Sequence, residues 1–282
     1  MRVVIVGSSG FVGQALMLHL NNQGHKVDPL SIRKETKTQD ISDVLQSCDI
    51  LINLAGVSIF GRWSASYKKA LYDSRIDTTK KLLDALIMSK KRPKIFISTS
   101  AIGIYPDEIP CDEKTENFSS SFLSQTCQDW EKEAMRANEL GIKTSIFRFG
   151  VVLGKSGGMI KKIWLPFSFG LGGRIGSGRQ SLSWIHIRDL CYIYDKVIKE
   201  EREGVYNLCS PQPTNNMELT KILGSLLNRP TFFPVPAFVL RLMFGEGADF
   251  MLHGQKVYPK KLLDLGFEFK YKDIKTALSS FL

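Results

Sequence analysis

The sequence predicts a doubly wound α/β fold, a parallel sheet with helices on both faces and a smaller lobe toward the C-terminus. Three observations predict it. Strand-like apolar runs alternate with helical patterns through the first two-thirds of the chain, as βαβ units require. Runs such as VVIV at 3–6 and ILINLA at 50–55 lack polar alternation, as expected of strands covered on both faces. A glycine triplet, Gly7, Gly10 and Gly13, separates the first such run from the first helical pattern, the setting of a Rossmann-type turn.

Taken in order, VVIVG is the first strand and the helix after it runs from Phe11 to Gly24, where glycine favours a stop. KVDPL follows as the second strand, then a helix near 40–47, then DILINLAG as the third strand. A long helix near 65–89 leads to KIFISTSA, and an amphipathic helix over 122–140 leads to KTSIFRFGVVLG. After Gly154 the texture changes to the glycine-rich GLGGRIGSGRQS, then SWIHIRDL, a helix and GVYNLCSP, and prolines recur irregularly from Pro211. Residues 1–154, completed by 181–210, form the expected core, and 155–180 with 211–282 the expected substrate or lid lobe.

A chain of 282 residues with 43% hydrophobic content is long enough to bury one large core. No run of about 18 apolar residues and no signal-peptide pattern is present, so a soluble, cytoplasmic protein with no membrane attachment is expected. The cysteines (Cys48, Cys111, Cys127, Cys191 and Cys209) are odd in number and contain no CxxC pair, which excludes a disulfide framework and gives no metal site. The net charge of +10 is spread over the chain in pairs such as Lys68–Lys69 and Lys161–Lys162, without interleaved aromatics. A solvated surface is expected rather than a nucleic-acid groove, and the charge suits a phosphorylated ligand.

The glycine loop explains where such a ligand sits. Gly7, Ser9, Gly10, Phe11, Val12 and Gly13 span the turn and the start of the helix, where tight turning, close backbone approach and the helix N-terminus favour a pyrophosphate. An NAD site normally ends its second strand in an acid that bonds the ribose 2′-hydroxyl; here that end carries Ser31 and Arg33, which suits the 2′-phosphate of NADP. Two alternatives stay open: Asp28 is that acid and the cofactor is NAD, or Arg33 and Lys34 are a solvated turn.

With that loop, NLAG at 53–56, STSAIGIY at 98–105, WE at 130–131 and RFGVVLG at 148–154, the chain resembles the extended short-chain dehydrogenase/reductase superfamily. GRW at 61–63, SRIDTT at 74–79, LGGRIGSGRQSLSWIHIRDL at 171–190 and the segment RPTFFPVPAFVLRLMFGEGADFMLHGQKVYPKKLLDLGF narrow the resemblance to its atypical NAD(P)-dependent epimerase/dehydratase branch. The resemblance implies cofactor contacts from Leu54, Ala55, Gly56 and Arg75, the last replacing an asparagine. It also implies that Leu123 and Cys127 stand where active relatives carry a tyrosine and a lysine, while the upstream hydroxyl survives as Ser100. Leucine cannot donate a proton, and a thiol cannot supply an ammonium's charge.

Cys127 is either a nucleophile activated by Arg75 or a buried, inert thiol. Tyr105 is either the replacement proton donor or a tyrosine on a loop packing against substrate or lid. The resemblance places the substrate pocket between the sheet and the smaller lobe, with Arg62, Trp63, Arg179, Gln180 and Trp184 near it. Arg174 adds a further cation, and a nucleotide sugar is the implied substrate class. His186 is read as a structural or pocket residue and Asp189 as the cap of the next helix. Two readings follow: an NADP-dependent oxidoreductase or epimerase on a small-molecule substrate, or an NADP-binding sensor without turnover. Relatives of this kind pair through the long helices, which implies a homodimer.

Overall fold

The structure is a computed structural model describing residues 1–282. In chain order its elements are β1 (Arg2–Val6), α1 (Phe11–Asn22), β2 (Lys26–Leu30), α2 (Thr38–Leu45), β3 (Ile50–Asn53), α3 (Ala65–Met88), β4 (Ile95–Ala101), β5 (Pro110–Cys111) and α4 (Phe122–Met135). They continue with β6 (Lys143–Phe149), β7 (Val151–Gly154), α5 (Gly158–Ser168), β8 (Ser181–Leu182), β9 (Trp184–His186), α6 (Ile187–Lys199) and β10 (Gly204–Leu208). The last are β11 (Thr214–Asn215), α7 (Asn216–Leu226), α8 (Ala237–Phe244), α9 (Asp249–Leu252), β12 (Lys256–Val257), α10 (Lys260–Asp264) and α11 (Ile274–Ser279).

Six strands form one parallel sheet in the order β10-β6-β4-β3-β1-β2. The chain winds outward from β1 to β2 and then returns to β3 on the other side of β1, so the switch point lies between β1 and β3, where ligands of such sheets bind. Strand alternation divides the buried side chains between two faces. Val3 and Ile5 point into a core with α1 and α6, including Leu16, Leu20 and Ile193. Val4 and Val6 point into a second core with α2 and α3, including Ile41, Leu45, Leu82 and Leu86.

Ser64 caps α3 and Ser121 caps α4, each accepting the amide three residues on, at Tyr67 and Ser124. The helix expected over 122–140 divides: α4 ends at Met135 and a tighter 3-10 turn covers Arg136–Leu140, closed by left-handed Gly141. The run KTSIFRFGVVLG also divides. Gly150 lets the backbone pass so close to Ser183 that a Cβ would meet its carbonyl oxygen at 2.8 Å, and β7 leaves the main sheet to pair with β9. Of 181–210, only β10 joins the main sheet, while Trp184 packs into a third core with Leu219, Leu223, Ile274 and Phe281. The C-terminal segment then returns to the sheet, placing Leu262 and Phe269 in the first core.

Candidate active site

The glycine turn lies at the switch point. Gly7 is left-handed, φ +82°, and a Cβ there would stand 2.8 Å from the Leu54 carbonyl; at Gly13 it would stand 2.5 Å from the Gly7 oxygen. No side chain caps α1 at Gly10, so its first amides are open to an anion. Ser9 and Gly10 are exposed, and the Ser9 carbonyl accepts from Gln14 at 3.0 Å. The ring of Phe11 packs on the turn at Gly154, Gly157 and Gly158, which leaves its backbone, with that of Val12, for a ligand.

At the end of β2, Asp28 is engaged: the Arg2 guanidinium donates to it at 2.5 Å. Ser31 and Arg33 are exposed, and Arg33 has no carboxylate partner. Lys81 fixes the turn that carries them, donating to the carbonyls of Arg33 at 3.0 Å and Lys34 at 2.7 Å.

At the end of β3, buried Asn53 accepts from the Ala55 amide at 3.1 Å and donates to Thr79 at 3.0 Å, which sets the NLAG turn. Gly56 leaves room for Arg75, whose guanidinium carbon would be 3.1 Å from a Cβ there. Arg75 donates to the carbonyls of Leu71 at 2.9 Å and Val57 at 3.1 Å and lies over the Trp130 ring. Burial lowers its pKa, with Cys127 and Tyr67 acting the other way.

Ser100 begins a buried polar chain. Its hydroxyl donates to Glu131 at 2.6 Å; Arg148 donates to both Glu131 oxygens, at 2.8 and 2.7 Å, and to the Tyr105 hydroxyl at 2.7 Å; Tyr105 donates to Asn207 at 3.0 Å. Burial pushes the Tyr105 phenol up to about 12, against the pull of Arg148, and its side chain has no solvent exposure. The Tyr105 hydroxyl accepts from one protein group and donates to another, the setting of a buried structural tyrosine. Cys127 lies beside Ser100, Ala101 and Arg75, yet burial, then Glu131, push its thiol up to about 11. It is a neutral thiol at neutral pH, which matches the inert reading. Leu123 stands over Gly103, so an apolar side chain occupies the mouth of this corner.

On the lobe side, Trp63 stacks on Phe250 and meets Phe122 edge-on, its indole donates to the Ile59 carbonyl at 3.0 Å, and its amide donates to the Phe244 carbonyl at 3.0 Å. Arg62 donates to the Leu242 carbonyl at 2.9 Å. The GRW segment is thus a bridge between the sheet and α8–α9. Arg174 and Arg179 are exposed and without carboxylate partners, whereas buried Gln180 gives its amide hydrogens to the Ile175 and Met251 carbonyls at 3.1 and 3.0 Å and keeps its Oε1 without a partner. Trp184 has no exposed surface and offers no pocket wall; its alternation in β9 turns it into the lobe core.

His186 is structural in this geometry. Its Nδ1 accepts the Arg188 amide at 3.0 Å, capping α6, its Nε2 reaches Ser280 at 3.1 Å, and its ring stacks on Tyr271 and Phe281. The cap expected from Asp189 therefore comes from His186. Asp189 instead accepts the amides of Lys270 and Tyr271, at 3.1 and 2.9 Å, and clamps the C-terminal segment.

Sequence reasoning missed Glu131 and Arg148 as site residues, although WE and RFG were legible as motifs. Arg148 inside the apolar run IFRF of β6 was the available signal, since buried charges are paired, whereas Glu131 stands among the other charges of α4 and gives none.

A parallel sheet with a glycine turn at its switch point and a polar chain starting from Ser100 beside it defines a nucleotide-binding α/β protein of the dehydrogenase and epimerase class. The chain belongs to the NAD dependent epimerase/dehydratase family, whose model matches residues 3–209; residues 235–281 match a domain of unknown function, DUF1731. It is 36% identical to epimerase family protein YfhF of Bacillus subtilis, covering 100% of this chain and 98% of that protein. It is 35% identical to the chloroplastic epimerase family protein SDR39U1 homolog of Arabidopsis thaliana, covering 100% of this chain and 87% of that protein. Among solved structures, human epimerase family protein SDR39U1 (isoform 2) with NADPH superposes with a TM-score of 0.92 at 33% identity, covering 100% of this chain and 99% of that one. UDP-glucuronic acid 4-epimerase from Bacillus cereus shares the fold, with a TM-score of 0.81 at 15% identity over 100% of this chain and 98% of that one.

Proposed function

We propose that the protein binds NADP and acts as an oxidoreductase or epimerase on a small-molecule alcohol or carbonyl, a nucleotide sugar being the candidate class, without a tyrosine–lysine pair. The observation that carries the cofactor is the end of β2: Asp28 is held by Arg2, while exposed Arg33 faces no carboxylate on a turn pinned by Lys81. The NADPH in the similar human structure supports this reading. Gly7 and Gly13, with no room for a Cβ, fit the pyrophosphate beside α1. A cytoplasmic setting, with all five cysteines free, and a homodimer through α3 and α4 belong to the same reading.

Bound NADP would supply or accept the hydride; the proton is the protein's task. Because Ser100 gives its hydrogen to Glu131, it offers a ligand an oxygen lone pair, which selects a substrate hydroxyl as donor. In the oxidation direction that hydroxyl's proton passes to Ser100 while Ser100's own passes to Glu131, and Arg148 holds the carboxylate in place. Leu123 supplies an apolar wall, and Arg62, Trp63 and Arg179 meet the remainder of the substrate, with Arg179 free for an anionic group.

NADPH is expected to raise the melting temperature well above the unliganded value, and NADH to do so far less. Arg33→Ala is expected to weaken NADPH binding roughly tenfold or more by loss of a charged hydrogen bond, with NADH unaffected. Equal shifts by both cofactors in both proteins would remove the 2′-phosphate argument. In a screen of nucleotide sugars and small alcohols, Ser100→Ala is expected to lower turnover on the order of 10²-fold while leaving NADPH affinity unchanged.

A second reading, an NADP-binding sensor without turnover, draws on the neutral thiol of Cys127 and on Leu123. It predicts the same cofactor shifts with no Ser100-dependent chemistry on any substrate.

A further inference from the structure

We propose that the face built by the end of α5, the loop before α8 and α8 itself is a peripheral docking surface for an anionic lipid bilayer. The apolar part is direct to see: Phe169, Leu171, Phe232, Phe233, Phe238 and Leu242 are each 66–83% exposed. They come from two segments that run side by side. Arg229 donates to the Ser168 carbonyl at 2.7 Å, the Val235 amide to the Arg174 carbonyl at 2.8 Å, and Gly173 lies so close that a Cβ would collide with the Phe233 carbonyl oxygen. Scattered single apolar side chains on a surface need no explanation, whereas a grouped set of phenylalanines does.

Charge identifies the occupant. Residues 155–188 contain six lysines and arginines and residues 219–245 contain three, with no aspartate or glutamate in either. These two segments carry nine of the ten net positive charges while supplying every apolar residue of the face. All nine cations are exposed, and only Arg241 has a carboxylate within reach, Asp249 at 3.8 Å. Of the nine, Arg174, Arg229 and Arg241 lie on the face itself, whereas Lys162 lies over Phe60, Arg188 donates to Tyr271, and Arg179 belongs to the substrate side. A second copy meeting this face through its own equivalent would bring like charges together, since a two-fold contact pairs a patch with itself. The phenylalanines project from a loop and a helix instead of lining a groove, so a protein helix has no slot to enter. Protruding aromatics beside Arg174, Arg229 and Arg241 match an interface of acyl chains beneath anionic headgroups. This departs from the expectations of a merely solvated charge and of no membrane attachment. The surface adjoins the GRW bridge through Leu242, yet the proposal stands without the cofactor or the reaction.

The test is sedimentation of the full-length protein with sucrose-loaded vesicles of phosphatidylcholine containing about one-third phosphatidylglycerol, and with phosphatidylcholine alone, at two salt concentrations. Binding to the anionic vesicles is expected, weakened by salt and on neutral vesicles. Phe232→Ser/Phe233→Ser is expected to lose about tenfold or more in partitioning at an unchanged melting temperature. Arg229→Gln/Arg241→Gln is expected to lose about thirtyfold on anionic vesicles only, at roughly 1 kcal/mol per cation. No binding to anionic vesicles at low salt overturns the proposal. So does binding that the phenylalanine variant keeps, which is adsorption by charge alone, and so does a dimer in solution that depends on Phe232 and Phe233 without vesicle binding.

Discussion

Replacing Glu131 with alanine is expected to lower the unfolding free energy by about 3–5 kcal/mol, because it strands a buried guanidinium. Arg148 is 5% exposed and Glu131 12% at the side chain. Burial works against the Arg148 charge, and the oxygens of Glu131 and Tyr105 more than reverse it, so its pKa lies above the ordinary arginine value. Removing the carboxylate also leaves Ser100 without its acceptor. The double variant Glu131→Leu/Arg148→Met removes both charges and is expected to recover most of the loss, as replacement of buried pairs by apolar groups commonly does. Urea unfolding of the wild type, Glu131→Leu, Arg148→Met and the double variant completes a thermodynamic cycle. Losses that simply add would mean that the pair is not coupled, and the role given to Arg148 would fall with it.

Acidification is expected to destabilise the protein through His186. Burial, then the charges of Arg188 and Lys270, lower its pKa from 6.5 to about 4 in the folded state. As pH falls, the unfolded chain takes up this proton first, so the stabilisation present above pH 6.5 is lost down to about 4. The loss amounts to about 2 kcal/mol at pH 5 and approaches about 3 kcal/mol at the low end. Buried Asp189 and Glu113, whose pKa values are raised, act in the opposite sense, so the measurement is the difference from a variant. His186→Asn keeps an acceptor for the Arg188 amide but does not titrate. Its unfolding free energy is expected to be lower at pH 7.5 and flatter between pH 7 and 5; parallel curves for the two proteins would rule His186 out.

The main sheet was legible because its evidence is local. VVIV, ILIN and IFIS report burial on two faces without reference to anything distant, and the glycine spacing reports a turn whose crowding by Leu54 was the one non-local fact needed. The same locality explains what escaped. Nothing in RFGVVLG marks Gly150 as the point where the strand leaves the sheet, since the cause is Ser183 on another segment. Trp184 and Gln180 read as pocket residues because their side-chain chemistry suits a ligand, but β-strand alternation and two carbonyls elsewhere claim them. Tyr105 reads in the sequence as a proton-donor candidate, and its partners Arg148 and Asn207, 43 and 102 residues away, decide how it behaves. Glu131 reads in the sequence only as half of the WE motif. Pairing across 17 residues, from helix to strand, is a tertiary fact with no periodicity to announce it.

The return of the C-terminal segment to the sheet has a consequence for biosynthesis. Leu262 and Phe269 belong to the same core as Val3 and Ile5, and the Asn207 side chain that receives Tyr105 itself donates to the Tyr258 carbonyl at 3.2 Å. A ribosome releases the amino-terminal strands first. During that interval the core of the sheet is unfinished, and it closes only when the last residues are translated. A product terminated before residue 269 is expected to leave that core open, so it would not be a smaller working domain.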